Sequence, residues 1–399
     1  MKHNTALTFR LPDGSLCNPL IRWHKHRYTL MAALAKVPDP RQNQGKRHSL
    51  VLILSIPLLG SLAGYSTLKD CLRWVTVHPE FLRFLTQAHG LPHATTIARV
   101  LAKCETSHLQ IRLEPWYWLL TKWQPPRVVS LDGKTMCGVR TTPVGGSSSV
   151  TRHILSLFSH GTHQTIAQIG VDSKENEIPA GQRLLKDQNL TGLTIVADAL
   201  HTQVDTAGII RKQGGDYLLM VKGNQESLAD IIARTFDDPL CQRQTAIDRD
   251  ISRGRDMTTE ISSSQSVDLK DLGKQWQDIH YVGKIHRWGV RTEKGKVTAI
   301  DETVYWIASH KRLRATKALK MIRGHWEIEN NLHWQKDYTY AEDKQRLSQG
   351  QAPQVMTYLR SLCIGLLKLL GFESITDTVK ACQVNARYLQ TILRVGMIV

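Results

Sequence analysis

The segment Val128-Val-Ser-Leu-Asp-Gly-Lys-Thr135 opens the part of the chain that decides its fold. Its apolar first half is β-like, and Asp132 follows directly, ahead of Gly133. A glycine lets the backbone turn and approach a ligand closely, so this carboxylate is expected at a strand end where chemistry can take place. The same pattern returns in Leu193-Thr-Ile-Val-Ala-Asp198, whose acid again ends an apolar run. Isolated acids at strand ends are also common turn residues, so neither pattern alone assigns a catalytic role.

The segments around these two acids indicate the fold class. After the first run, the β-like and helical stretches follow in this order: strands at 154–158 and 165–171, a helix at 179–186, a strand at 193–197, a helix near 202–212 and a strand at 217–221. The first three strands are joined by links without an obvious crossover helix, whereas the later strands alternate with helices. This order predicts an α/β fold with a mixed sheet.

Four regions follow from this order: a helical, candidate DNA-binding region at 1–125, the first part of the core at 126–238, a polar β-rich insertion at 239–312 and a helical region at 313–399. In the first region, the apolar run from Leu50 to Ala63 is interrupted by Pro57 and Gly60. It falls short of the roughly 20 residues that span a bilayer, so we expect a buried helix and no membrane partner. The stretch from Met1 to Arg10 also lacks the apolar centre of a signal peptide.

The charge balance favours a polyanionic partner. Lys and Arg number 52 against 35 acids, a formal net charge of +17 at pH 7. Neutralising phosphates with such cations releases counterions, which favours binding to nucleic acid. A basic protein that merely adheres to nucleic acid has the same composition. The seven cysteines are odd in number and form no Cys-x-x-Cys pair, which speaks against a zinc ribbon or a secreted disulfide scaffold and favours the cytoplasm.

The first region contains candidate DNA contacts. A helical pattern at 81–90 is followed by Leu91-Pro92 and a second helical pattern from Thr95 to Leu101. In a helix-turn-helix, the second helix would carry Arg99 towards DNA. Ordinary helix packing explains the same pattern. The basic stretch Gly45-Lys-Arg-His48 adds Lys46 and Arg47, which we also expect to contact DNA.

A third acid comes from Arg323-Gly-His-Trp-Glu-Ile-Glu-Asn-Asn-Leu-His-Trp-Gln-Lys336. With 3.6 residues per turn, Glu329 shares a helix face with His325 and Lys336, whereas Glu327 points elsewhere. Three carboxylates can hold two Mg²⁺ ions, which prefer oxygen ligands and can activate the attacking oxygen and stabilise the leaving oxygen. Lys336 would then contact a phosphate.

Two alternatives compete for that helix. Charges spaced seven residues apart are also found on solvated helix faces. His325, Glu329 and His333 lie at i, i+4 and i+8, as zinc ligands could, but the His-Glu-x-x-His pattern is absent and zinc is not favoured. The chain also has no phosphate-binding Gly-x-x-x-x-Gly-Lys-Ser/Thr loop and no dinucleotide fingerprint, so no nucleotide cofactor is expected.

Four ordered motifs resemble the H-repeat-associated insertion-sequence transposases: Leu131-Asp-Gly-Lys-Thr135, Ala197-Asp-Ala-Leu-His-Thr-Gln203, Gly214-Gly-Asp-Tyr-Leu-Leu-Met-Val-Lys-Gly-Asn-Gln225 and His325-Trp-Glu-Ile-Glu-Asn-Asn-Leu-His-Trp334. The resemblance implies an RNase H-like DDE catalytic core with a β-strand insertion, flanked by N-terminal and C-terminal helical regions. Asp132 and Asp198 match the family's two aspartates, and Glu329 matches its glutamate. Where the broader group often has Tyr and Arg on this helix, the chain has Ile322 and His325.

The resemblance also implies partners and a reaction. The chain would cut element ends and join their 3′ hydroxyls to target DNA with Mg²⁺, or with Mn²⁺ in its place. We expect double-stranded DNA as partner, a homodimer that pairs two ends, and a cytoplasmic, nucleoid-associated protein. Residues expected along the DNA path are Lys134, Lys222, Asn224, His325 and Lys336.

Some interpretations stay open on the sequence. Lys134 and Lys222 could equally be solvent-facing loop residues. Trp276 and Trp288 could stack on a displaced base, although core packing is the commoner use of such residues. A domesticated or degenerate DNA-binding derivative, or a nuclease on the same core, would carry the same motifs.

Overall fold

We describe the protein from a computed structural model. The structure describes residues 9–10, 16–17, 29–44, 46–82, 89–121, 127–139, 153–171, 175–252, 254–265, 272, 275–293 and 295–395. Two compact units divide the chain. The first comprises Met1–Pro125, Gly133–Asn176 and Glu329–Val399, and the second comprises Pro126–Asp132 and Glu177–Ile328.

The strands are β1 Phe9–Arg10, β2 Leu16–Cys17, β3 Val128–Thr135, β4 His153–Ser159, β5 Thr165–Val171, β6 Thr194–Ala197, β7 Asp216–Val221, β8 Gln244–Ser252, β9 Arg255–Ser264, β10 Tyr281–Glu293 and β11 Lys296–Ala308. The helices are α1 Leu30–Leu34, α2 Leu50–Leu62, α3 Leu68–Val77, α4 Ala94–Leu101, α5 Thr106–Leu120, α6 Glu177–Lys186, α7 Val204–Lys212, α8 Glu226–Asp237, α9 Ala315–Ile328, α10 Trp334–Tyr338, α11 Ala352–Leu369, α12 Ile375–Val384 and α13 Ala386–Val395. Single 3₁₀ turns lie at Pro79–Phe81, Ala199–His201, Gly223–Gln225 and Glu342–Lys344, and a π-helical turn lies at Glu329–His333.

The second unit is built on a mixed sheet. β3, β6 and β7 run parallel in that order, β11 pairs antiparallel with β7, and β10, β9 and β8 follow as an antiparallel meander. β6 and β7 are apolar and buried along nearly their whole length, as is usual for parallel strands covered on both faces. α9 packs on this sheet, where Ile322 joins Val196, Leu218 and Trp306 in one buried cluster.

The first unit combines helices with a strand pair. β4 and β5 are antiparallel, from His153 opposite Val171 to Phe158 opposite Thr165. α2 is buried along nearly its whole length and begins at the Ser49 cap, whose hydroxyl accepts the Leu52 amide. The predicted buried helix is therefore confirmed. Within the described residues, no helix combines the length and the apolar character needed to cross a bilayer.

The mixed α/β class predicted from the strand and helix order is confirmed. The predicted helices and strands between 154 and 221 are all present, with boundaries shifted by at most two residues. The strands β8 to β11 occupy the stretch expected to be β-rich. Of the helix expected at 81–90, residues 83–88 lie outside the described residues, as do the Pro125-Pro126 boundary and residues 140–152.

Candidate active site

Two of the predicted acids lie side by side at one edge of the sheet in the second unit. β3 and β6 pair Leu131 with Ala197. Asp132 directly follows Leu131 in the sequence, and Asp198 directly follows Ala197. Because neighbouring strands lie about 4.8 Å apart, this register brings the two backbones together at the acids. Asp132 is half-buried and Asp198 is exposed. The sheet thereby presents two carboxylates from distant segments at one edge.

The structure corrects the expected end of β3. The strand continues through Thr135, whose hydroxyl is hydrogen-bonded to His153 Nδ1 of β4 at 2.9 Å in the first unit. β6 stops at Ala197, so Asp198 leaves the sheet and enters a turn. Strand geometry therefore holds Asp132, and the following turn holds Asp198.

The turn after Asp198 is fixed by several hydrogen bonds. Asp198 Oδ1 accepts the backbone N–H groups of Leu200 at 3.1 Å and His201 at 3.4 Å. The His201 ring is 1% exposed and its Nε2 donates to Glu177 Oε1 at 3.2 Å. Thr202 Oγ1 donates to the Met220 carbonyl at 2.5 Å, which ties the turn to β7. These bonds restrict the positions that the Asp198 carboxylate can take.

The segment after β7 supports the same turn. Asn224 Nδ2 donates to the Ala199 carbonyl, and Gln225 Nε2 donates to the Thr202 carbonyl at 3.0 Å. Lys222, which precedes them, is exposed. The sequence predicts Asn224 on the DNA path, but no sequence pattern indicates its bond to the turn that carries Asp198. The position of Asn224 shortly after a core strand indicated a functional residue, but it did not reveal the Ala199 carbonyl as its hydrogen-bond partner.

α9 is tied to β3 close to Asp132. His325 Nδ1 and Ser130 Oγ are hydrogen-bonded at 3.0 Å, and the histidine is 6% exposed. Ser130 precedes Asp132 by two residues and so points to the same face of the strand. His325 precedes Glu329 by about one helical turn. The structure places His325 in the interior, where it links these elements.

Glu329 begins a π-helical turn, which changes the helical phase predicted from the sequence. The Glu329 side chain is 67% exposed, and its Oε2 lies 3.4 Å from His333 Nδ1. Lys336 is 1% exposed, so it does not share the exposed face of Glu329 as predicted. The reason is that a π turn adds a residue to the repeat, so residues beyond it are rotated relative to a regular helix.

Two lysines expected along the DNA path are enclosed in the first unit. Burial lowers the pKa of Lys336 to about 8, although the Glu342 carboxylate opposes that shift. Lys134 is 11% exposed and its Nζ lies 2.6 Å from Asp337 Oδ2. No sequence pattern indicates Asp337 as the partner of Lys134. Neither lysine offers its charge freely to a phosphate in this structure.

Other predicted contacts differ in exposure. Trp276 is 2% exposed and is a core residue, and Trp288 is half-buried and stacks on His286 with ring centroids 4.7 Å apart. The cations expected to reach DNA from the N-terminal region are all exposed: Lys46, Arg47 and Arg99.

Comparison with known proteins gives two family matches. Residues 123–366 match the family described as transposase DDE domain, and residues 31–117 match the family described as DDE_Tnp_1-associated. Both acids at the sheet edge and Glu329 lie inside the first of these matches. The match covers more than half of the chain.

Several relatives are similar over most of their length. The chain is 28% identical over 347 residues to the "H repeat-associated putative transposase YhhI" of Escherichia coli K12, covering 85% of this chain and 90% of that protein. It is 32% identical over 208 residues to the "H repeat-associated putative transposase YbfD" of the same organism, covering 52% of this chain and 81% of that protein. Among solved structures, a piggyBac transposase synaptic complex with hairpin DNA shares 11% identity and a TM-score of 0.34, covering 92% of this chain and 78% of that chain.

Proposed function

Since this chain belongs to the transposase DDE domain family, we propose that Asp132, Asp198 and Glu329 hold two Mg²⁺ ions for cutting and joining DNA. The family and its H repeat-associated relatives make the chain a DNA transposase of an insertion sequence. In the proposed reaction, element ends are cut and their 3′ hydroxyls are joined to target DNA. The observation that carries the site is the register of Leu131 beside Ala197, which sets two motif aspartates next to each other.

The donor chemistry of the three acids fits such ions. Asp198 Oδ1 caps the following turn, while no described residue donates a hydrogen bond to Oδ2. The Glu329 side chain is largely exposed. Carboxylate oxygens are the ligands that Mg²⁺ prefers, and Mn²⁺ accepts them as well. Two bound ions would activate the attacking oxygen and stabilise the leaving one.

The order of elements supports an RNase H-like core. β3, β4 and β5 precede α6, β6, α7 and β7, and β3, β6 and β7 are parallel in the second unit. We assign 126–238 to the first part of this core and 239–312 to a β-strand insertion. The segment 313–399 would complete the core with the Glu329 helix, and 1–125 would bind DNA.

Lys222 is the cation best placed for DNA near the acids. It is exposed at the end of β7, two residues before Asn224, which is bonded to the Asp198 turn. A Lys222→Ala protein is expected to bind ends more weakly and cut them more slowly. Unchanged binding and cleavage would remove Lys222 from the site. Because two ends must be brought together, we also infer a homodimer on DNA.

The deciding experiment incubates the protein with the DNA that borders its gene, in Mg²⁺, and scores cleavage and joining on one gel. Asp132→Asn, Asp198→Asn and Glu329→Gln should each abolish both steps and leave DNA binding nearly intact. Asp205→Asn serves as the matched control, because Asp205 is an exposed acid of α7 in the same unit as the two aspartates. A triad variant that still joins ends would show that the assignment is wrong. Cutting without joining by the wild type would identify a nuclease instead.

A further inference from the structure

One row of side chains crosses strands β8 to β11 of the second unit. The strand registers set Asp248 opposite Thr259, Thr259 opposite Arg287, and Arg287 opposite Glu302. Directly opposite residues of antiparallel strands point to the same face of a sheet, so these four side chains share one face. We call them the cross-strand row. The row therefore carries one cation, Arg287, between two acids.

The end of α9 lies over this row. Arg323 of α9 forms an ion pair with Asp248. Three residues later, the Arg287 guanidinium lies over the Trp326 ring, with 4.5 Å between Cζ and the ring centroid. Residues three apart are neighbours on a helix surface, so both contacts come from one side of α9. The cross-strand row therefore contacts α9 at two adjacent points shortly before Glu329.

Arg287 is itself held by its surroundings. Its Nη1 donates to Glu302 Oε1 at 2.7 Å, and the side chain is half-buried. Its Nε makes no hydrogen bond to a described residue. A guanidinium over an indole face is attracted by the charge distribution of the ring, and the attraction increases as water is excluded. The Glu302 carboxylate therefore holds the cation in the position where it meets Trp326.

The Trp326 contact ends the apolar row of α9. Trp326 packs against a buried cluster that contains Ile285 of β10 and the α9 residues Ala315, Ala318, Leu319 and Ile322. Apolar packing has no preferred direction, whereas a guanidinium stacked on an indole restricts the orientation of the ring. The π-helical turn at Glu329–His333 follows directly after α9. The oriented contact is thus placed where the regular helix gives way to that turn.

We propose that Arg287 is a positioning residue for Glu329. By holding the Trp326 ring, it fixes the rotation of the last turn of α9, from which Glu329 follows within three residues. Contacts behind a metal ligand orient it and contribute to metal affinity. The inference rests on the proposed function, because it takes Glu329 as a metal ligand. It gives strands β8 to β11 a part in the chemistry that requires no contact with DNA.

The first measurement needs neither metal nor DNA. Hydrogen exchange of the full chain, followed by mass spectrometry, reports local opening at residues 325–333. Arg287→Met removes the cation and keeps an unbranched side chain, so exchange there should become about fivefold faster, which corresponds to about 1 kcal/mol. The control Arg291→Met removes the same charge from the same face of β10, where Arg291 pairs with Glu293 at 2.9 Å, and should leave that exchange unchanged.

The second measurement connects this contact with Glu329. The Mn²⁺ concentration for half-maximal cleavage of the DNA that borders the gene should rise about fivefold in Arg287→Met. Duplex binding in EDTA should stay as in wild type. A loss of stability alone would lower the amount of active protein without changing the Mn²⁺ dependence. Arg287→Lys keeps a cation that can lie over the indole and should restore most of the wild-type dependence.

A double variant tests whether both residues act through one contact. Trp326→Leu removes the ring and should also raise the required Mn²⁺ concentration, and it replaces Arg287→Met if that variant does not fold. Because the two changes break the same contact, Arg287→Met/Trp326→Leu should raise the concentration no further than the larger single change. Effects that multiply in the double variant would show two independent contributions.

Each outcome bears on a separate claim. Exchange at 325–333 that Arg287→Met leaves unchanged, or that Arg291→Met raises equally, would overturn the positioning role. Multiplied effects in the double variant, or an unchanged Mn²⁺ dependence beside a wild type that cleaves, would overturn it as well. A wild type without metal-dependent cleavage would contradict the proposed function, and the exchange rates would then decide whether Arg287 holds the end of α9.

Discussion

Replacing Lys336 with methionine tests whether this residue is an interior cation or a phosphate contact. Lys336 is 1% exposed, and burial lowers its pKa from 10.5 to about 8. The charged form is therefore less stable in the folded protein than in the unfolded chain. A difference of about 2.5 pKa units, at 1.36 kcal/mol per unit, corresponds to on the order of 3 kcal/mol.

The sign of the pH dependence follows from proton binding. Below pH 8, Lys336 is charged in both states and the folded protein carries the full cost. Between pH 8 and 10.5 the folded state loses the proton first, so the unfolded state binds more protons and the unfolding free energy rises with pH. Lys336→Met lacks this rise. The unfolding free energy of wild type relative to the variant should therefore increase by on the order of 3 kcal/mol across that interval.

At pH 7 the variant should be at least as stable as wild type. Methionine has a similar length and needs no hydration, and replacing a buried charge with an apolar side chain is often neutral or stabilising. Glu342 keeps its bonds from Arg360 at 3.1 Å and Thr357 at 2.9 Å, so it is not left without partners.

Urea unfolding of both proteins over a pH series measures the effect. Taking the difference between the proteins cancels groups that titrate in both, such as the buried Tyr117 and Tyr340, whose pKa values burial raises. A difference that stays constant with pH would refute the burial argument. Loss of DNA binding with a reduced salt slope would place Lys336 on a phosphate instead.

Three further predictions concern the turn after Asp198, the contact of His325 and the packing around Gly138. Asn224→Ala removes the hydrogen bond to the Ala199 carbonyl. It should lower the cleavage rate and weaken Mn²⁺ binding without unfolding the protein. An unchanged cleavage rate would show that Asn224 does not hold the Asp198 turn in place. Ser130→Ala removes the hydroxyl bonded to buried His325 and should lower the free energy of unfolding by about 1–3 kcal/mol, measured by urea titration. An unchanged free energy of unfolding would refute the contribution of this hydrogen bond. Gly138→Ala places a methyl group against the Asp343 carbonyl and should cost about 1–3 kcal/mol. Gly161→Ala, which meets nothing within 4 Å, is its thermal-denaturation control, and equal melting temperatures would contradict the packing.

Much of the fold could be predicted from local pattern. Apolar runs of strand length ending in Asp132 and Asp198 are properties of short segments, so they are visible without knowing what packs on them. The alternation of helices and strands after β5 likewise predicted the mixed sheet. The apolar run from Leu50 predicted the buried α2 for the same reason.

The predicted roles of individual charged residues depended on contacts that no local pattern contains. Lys134 and Asp337 are 203 positions apart, and their ion pair exists only because strand and helix meet in the folded unit. The polar residue His325 reads as a DNA contact in sequence, but its partner Ser130 lies 195 positions away. The π-helical turn at Glu329 breaks the 3.6-residue repeat on which the phase argument for Lys336 was built.

The sequence by itself determined which three acids carry the family motifs, the α/β class and the net charge that suits DNA. Only the tertiary structure decided that Leu131 pairs with Ala197 and so sets two acids at one sheet edge. It also decided that Lys336 is interior while Lys46 and Arg47 are exposed. The physical reason is that periodicity depends on neighbours within a few residues, whereas strand register, burial and ion pairing depend on segments brought together from across the chain.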